Sequence, residues 1–141
     1  MTRYQAYQGN QVEGAGPLGL VLLTYEALFK ALGRTRMAIL AGDMEAEATH
    51  TGIVMEALIE LSSSLNMEAG GDIAQSLASL YSYMMNRMTE GLCSGSTEAV
   101  DEVVKLTQEL REGWMQLSMQ QKKQQQNQQS GASPQLRAVA G

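Results

Sequence analysis

The sequence predicts an all-α fold, an antiparallel up-down-up-down four-helix bundle with a mobile N-terminal arm and a disordered C-terminal tail. Three observations predict it. Proline occurs only at Pro17 and Pro134 and β-branched runs are scarce, so little breaks helix and little favours strand. Apolar residues recur at three- and four-residue spacing in four segments of about 22 to 25 residues, each roughly 33 to 37 Å long as a helix. Short turns separate them, and helices of equal length joined by short turns must reverse direction at each one.

Residues 1–16 are polar and glycine-containing, with Tyr4 and Tyr7, and read as the arm. The bundle spans 17–119. Pro17 suits the first helical position after Gly16, and good helix formers follow from Leu18 to Leu40. Gly42-Asp43 ends this segment, and Asp43 is placed to cap a second helix from Met44 to Leu65, with Glu45 favourable in its first turn. Asn66 to Gly71 form a turn punctuated by Gly70-Gly71. The third helix, from Asp72 to Leu92, sets Ile73, Leu77, Leu80, Met84 and Met88 on one stripe. Cys93 to Gly95 break it, and Ser96 or Thr97 can cap the fourth. There Val100, Val103, Leu106 or Thr107, Leu110, Trp114 and Leu117 form the apolar face. Residues 120–141 begin with a glutamine-rich run that has nothing to bury; the fourth helix can run a turn or two into it.

The 141 residues suit one domain, and 44% apolar residues are enough for one core. A single cysteine, Cys93, forms no internal disulfide and reads as a buried, inert thiol in a reducing compartment. The first residues lack the apolar region of a signal peptide, and the longest uncharged apolar stretch, around Pro17 to Tyr25, is too short to span a bilayer. A cytoplasmic protein without membrane insertion is expected. From Gln120 onward the chain holds Lys122, Lys123 and Arg137 and no acids, leaving seven cations against fifteen acids, a net −8, in the body. Such a body repels phosphate, so nucleic acid is excluded as a partner class.

Catalytic chemistry has little to work with. His50 is the only histidine and reads as a solvent-facing helix residue. Glu47-Ala48-Thr49-His50 matches the Glu-x-x-His element of bundle di-metal sites, but such a site needs a second copy that one histidine cannot supply. No metal, cofactor or enzymatic activity is expected.

The first helix carries more apolar surface than one bundle face requires. One stripe runs Leu20, Leu23, Ala27, Ala31 and Ala38; a second runs Leu18, Val21 or Leu22, Tyr25, Leu28 or Phe29, Leu32 and Ile39. Either this helix sits deep in the core or one stripe serves a partner, and periodicity leaves open which stripe faces inward. Met37, Met84-Met85 and Met88 add deformable apolar surface suited to varied partner helices. Candidate partner contacts are Leu18, Val21, Leu22, Tyr25, Leu28 and Phe29, with Val54, Leu58 and Leu61 on the second helix. The surplus stripe would also support weak self-association.

Several motifs resemble the flagellar secretion chaperone family FliS over roughly residues 4 to 117. Pro17-Leu18-Gly19-Leu20-Val21-Leu22-Leu23-Thr24-Tyr25-Glu26 is similar to the family's Pro-x-x-Leu-Ile-x-x-Leu-Tyr-Asp segment. Ile59-Glu60-Leu61, Ser64-Leu65-Asn66, Gly70-Gly71-Asp72-Ile73-Ala74 and Leu80-Tyr81-Ser82-Tyr83-Met84 follow its order and spacing, and Leu110-Arg111-Glu112-Gly113-Trp114 resembles its Leu-Arg-x-x-Trp ending. Thr24, Glu26, Ala27 and Asn66 depart from the usual Leu, Asp, Gly and Asp, and the glutamine-rich tail has no counterpart. The resemblance implies a chaperone that holds the disordered C-terminal segment of flagellin, prevents its polymerisation and delivers it to the type III export gate. It also implies that the N-terminal arm covers part of the binding surface, with Tyr7 the residue placed to do so. The alternative is a helical chaperone or adaptor for another type III-exported subunit.

Overall fold

The structure, a computed structural model, describes residues 16–128. The expected arm up to residue 15, including Tyr7, and residues 129–141 lie outside the described residues. Among the described residues four helices follow one another: α1 (Gly16–Ala41), α2 (Met44–Ser63), α3 (Met67–Gly91) and α4 (Glu98–Gln128). Each packs against its neighbours in the chain, and α4 returns to close the ring against α1. This is the antiparallel four-helix bundle that the segment lengths and turns require.

Local chemistry accounts for the element ends. The Asp43 side chain accepts from the Ala46 N–H at 3.0 Å and caps α2, satisfying one of the amide donors that a helix start leaves free. Gly42 reverses the chain with φ 69°, a region open to glycine at no steric cost. At α4 the Ser96 hydroxyl accepts from the Glu98 N–H, and the Thr97 carbonyl accepts the first helical bond, from Asp101.

Two boundaries differ from expectation. α3 begins at Met67, ahead of the expected Asp72, because Asn66 caps it by accepting from the Ala69 N–H at 2.9 Å. The expected break survives as a kink at Gly71 (φ 54°, ψ −133°). α4 runs to Gln128, slightly farther into the glutamine-rich segment than the turn or two foreseen; glutamine and lysine are good helix formers.

The bundle uses the second stripe of α1 and the small-residue end of the first, while Leu20 and Leu23 of the first stay partly exposed. Leu18, Val21, Tyr25, Leu28 and Leu32 are buried in the core, and so are Ala31 and Ala38 of the smaller stripe. α1 therefore sits deep, meeting α2 along one side and α4 along the other. Val54, Leu58 and Leu61 of α2 fill the same core, with Met84 and Met88 of α3 and Val100 and Val103 of α4. The buried hydroxyls of Thr35 and Thr107 donate to the carbonyls of Ala31 and Val103, one turn back, as buried polar groups must find partners.

Cys93 corrects another expectation. It is exposed, in the α3–α4 connection, with φ 62°, because the helix breaks there and no described element covers it. Its amide donates at 3.0 Å to Oε2 of Glu47, a buried carboxylate that ties the start of α2 to this connection. His50, expected at the surface, is half-buried, and its Nδ1 is enclosed without a hydrogen-bond partner among the described residues. Among the described residues no group of three or more His, Cys, Asp or Glu could hold a metal ion. No described helix is long and apolar enough to cross a membrane.

Candidate partner-binding cleft between α3 and α4

The residues expected at a partner surface do not form one. Leu18, Val21, Tyr25 and Leu28 of α1 and Val54, Leu58 and Leu61 of α2 are all at most 8% exposed. Their side chains are the core itself, and withdrawing them would cost the burial that holds the bundle, roughly 1.5–3 kcal/mol for each large side chain. Only Leu22 and Phe29 keep part of their surface in water. They share one edge of α1 with Glu26 and Arg36, which pair with Arg111 and Asp101 of α4. This edge is a narrow strip rather than a broad face.

A better candidate lies on the other side of α4. At mid-height the Tyr25 and Tyr81 hydroxyls meet at 2.6 Å, and Trp114 Nε1–H donates to Tyr25 Oη at 3.1 Å. These three side chains tie α1, α3 and α4 together inside the core. Burial, and for Tyr25 also the neighbouring Tyr81, pushes both phenols above the ordinary tyrosine value, so both stay neutral donors and acceptors through the physiological range.

From this centre the α3–α4 seam closes in one direction. A Cβ on Gly91 would come within 2.6 Å of the Ala99 Cβ, so the two backbones approach as closely as glycine permits. Arg87 Nε donates to Glu102 Oε1 at 2.6 Å and Tyr83 Oη to Oε2 at 2.5 Å. The Tyr83 and Arg87 donors hold the Glu102 carboxyl below its usual range, and the same carboxylate raises the Tyr83 phenol.

In the other direction the seam opens. Ile73, Leu77 and Leu80 stand on the stripe of α3 that leads to Arg87 and Gly91 and therefore face α4. Leu106, Leu110 and Leu117 answer them on α4. Leu77, Leu80, Leu106 and Leu110 are only partly buried, while Ile73 is 53% and Leu117 37% exposed. Between Met67 and Leu80 the single buried residue of α3 is Ala74. Gly113, level with this opening, has nothing within 4 Å of where a Cβ would stand. The result is an apolar cleft, narrow at Gly91 and open at Ile73 and Leu117.

Periodicity had put Ile73 and Leu117 on core stripes, and they do lie on them. It could not show that their side chains stay exposed there.

The sequence model of the family described as "Flagellar protein FliS" matches residues 1–123. The chain belongs to the FliS family. It is similar to the flagellar secretion chaperone FliS of Vibrio cholerae, 28% identical over 80% of this chain and 86% of that one. The FliS of Salmonella typhimurium is 30% identical over 76% of this chain and 80% of its own. The flagellar secretion chaperone FliSB of Pseudomonas aeruginosa is 31% identical over 74% and 82%. The match covers all of α1 to α3 and nearly all of α4, so the cleft lies wholly within the family's domain.

Proposed function

We propose that the chain is a cytoplasmic flagellar export chaperone. It holds the C-terminal segment of flagellin as a helix in the open end of the α3–α4 cleft, keeps it from polymerising and presents it to the type III export gate. The observation that carries this reading is the uncovered apolar pair Ile73 and Leu117 at the mouth of a cleft whose other end is tightly closed. A bundle stable by its own core has no internal use for that opening. The relatives' names supply the cargo class, and helix-in-groove recognition supplies the physics.

Leu22 and Phe29, on the α1–α4 edge, add a second strip for a partner that wraps past the cleft. Leu18, Val21, Tyr25, Leu28, Val54, Leu58 and Leu61 act through the core and touch no cargo. Burial of roughly 1,000–3,000 Å² at ~25 cal/mol per Å² gives tens of kcal/mol gross, most of it offset by ordering the partner.

Calorimetric titration with a synthetic peptide of the host flagellin's C-terminal segment tests the proposal. Expected are 1:1 binding, a negative heat-capacity change and a gain in helicity. Ile73→Glu and Leu117→Glu, both at exposed positions, should weaken binding without loss of fold, whereas Tyr25→Asp should unfold the bundle. A folded protein that ignores the peptide would sink the flagellin reading. Unchanged affinity in both cleft variants would move the site elsewhere.

A further inference from the structure

The C-terminal tail and one end of the bundle are complementary in charge and apolar content. From Met37 to Asn86 the chain carries acids but no lysine or arginine. Glu56, Glu60, Glu68 and Asp72 of this stretch stand within about two helical turns of the α2–α3 turn. None of the four forms a salt bridge among the described residues. Among them Ile59 is 53% and Met67 45% exposed. These α2 and α3 residues are thus apolar or acidic, with no lysine or arginine among them. Their complement is a short segment with an apolar pair and a positive charge.

The chain contains such a segment. From Gln120 to Gly141 it has Lys122, Lys123 and Arg137 and no acid, and Leu136 and Val139 flank Arg137 at helical spacing. The family match ends at residue 123, so the tail is an addition to the family's domain. The bridges Arg36–Asp101 and Glu26–Arg111 fix the register of α4 on α1. Carried ten residues further, that register sets Gly16 level with about residue 121. Residues 122 to 128 then overhang the bundle by about 10 Å at 1.5 Å per residue. Antiparallel packing puts this overhang at the end of the bundle where α2 stops and α3 starts. From Gln128 to Leu136 the chain can reach about 26–29 Å, enough to return along the overhang and cross the roughly 10 Å to the neighbouring α3. The residues up to Val139 extend the reach toward α2, which lies beyond α3 from α4.

We propose that residues 129–141 dock on this anionic end, with Leu136 and Val139 against Ile59 and Met67 and Arg137 among Glu60, Glu68 and Asp72. Docking covers apolar surface beside the open cleft and stands independently of what the cleft binds. Attraction between exposed charges is screened by salt, so the contact weakens as ionic strength rises.

The test uses the full chain without cargo. A nitroxide is attached at Ser133→Cys in a Cys93→Ser background, and methyl resonances of isoleucine and methionine are recorded. Met67 and Ile59 should lose most of their intensity, while Met37 and Met44 at the far end keep theirs. High salt or Arg137→Glu should restore the lost signals. Glu68→Lys with Asp72→Lys should restore them too, and combining that pair with Arg137→Glu should bring the broadening back. Uniform or absent broadening overturns the proposal. So does broadening that appears only between labelled and unlabelled molecules and grows with concentration, which would assign the surface to a second copy.

Discussion

The two ends of the α3–α4 seam are built from the same kinds of residue and behave differently. At the closed end Gly91 lets the backbones meet, and Glu102 gathers Arg87 and Tyr83 across the gap. At the open end Gly113 faces empty space, and Ile73 and Leu117 are left in water. A helical glycine costs roughly 0.5–1 kcal/mol against alanine at either place. At Gly91 close packing within the molecule offsets that cost. At Gly113, as at Gly33 and Gly52, no described atom comes within 4 Å of a Cβ position, so no close packing offsets it.

The fulcrum between the two ends is the Tyr25–Tyr81–Trp114 cluster, and raising the pH strains it most. Burial raises both phenols above their unfolded value of 10.0. In the folded state both therefore keep their protons where the unfolded chain would lose them. Stability is complete below pH about 10 and falls above it, by about 1.4 kcal/mol per pH unit for each tyrosine that stays protonated. Denaturation followed from pH 9 to 12 should show this fall, and phenolate absorbance should appear for these two tyrosines only together with unfolding. Phenolate formation in a folded bundle would mean that the fulcrum is open to water.

Gly91→Ala tests the closed end directly. The added methyl would overlap the Ala99 side chain, and two backbones must move apart to admit it. A loss of about 1–3 kcal/mol in chemical denaturation is expected, outweighing the helix propensity gained. Replacing Ala99 with Gly in the same protein should recover part of the loss, since it removes the atom that collides. A neutral Gly91→Ala would show that the closed end is no tighter than the open one, and the contrast would fail.

Much of this architecture was legible in the chain. Asp43 and Gly42 mark the α1–α2 turn because capping and positive φ are local demands that few residues meet. The four apolar periods give four helices for the same reason. What escaped were relations between helices. Tyr25 read as a candidate partner contact on a stripe that periodicity left open between core and partner, because Tyr81 and Trp114 are distant in sequence and only packing reveals that its hydroxyl is satisfied inside. Ala31 and Ala38, on the other stripe that periodicity left open, are buried as well. Cys93 was expected inside on the general habit of thiols, yet the break that follows Gly91 leaves it at the surface. The exposure of Ile73 and Leu117 depends on how α3 and α4 meet each other and their other neighbours, which no single period contains.

Gly113 offers the smallest effect and the sharpest contrast with Gly91. With no atom within 4 Å, Gly113→Ala should raise stability by up to about 1 kcal/mol, opposite in sign to the same change at Gly91. Gly113→Leu goes further, because a leucine there would project into the opening between Ile73 and Leu117 and occupy space that a partner helix needs. The bundle should remain as stable as the parent in denaturation, while affinity for the flagellin peptide in calorimetry should fall. Stability and binding would then separate at one position, as no core substitution can make them do. If the leucine variant binds the peptide as tightly as the parent, the opening is not where cargo sits, and the α1–α4 edge with Leu22 and Phe29 becomes the next surface to test.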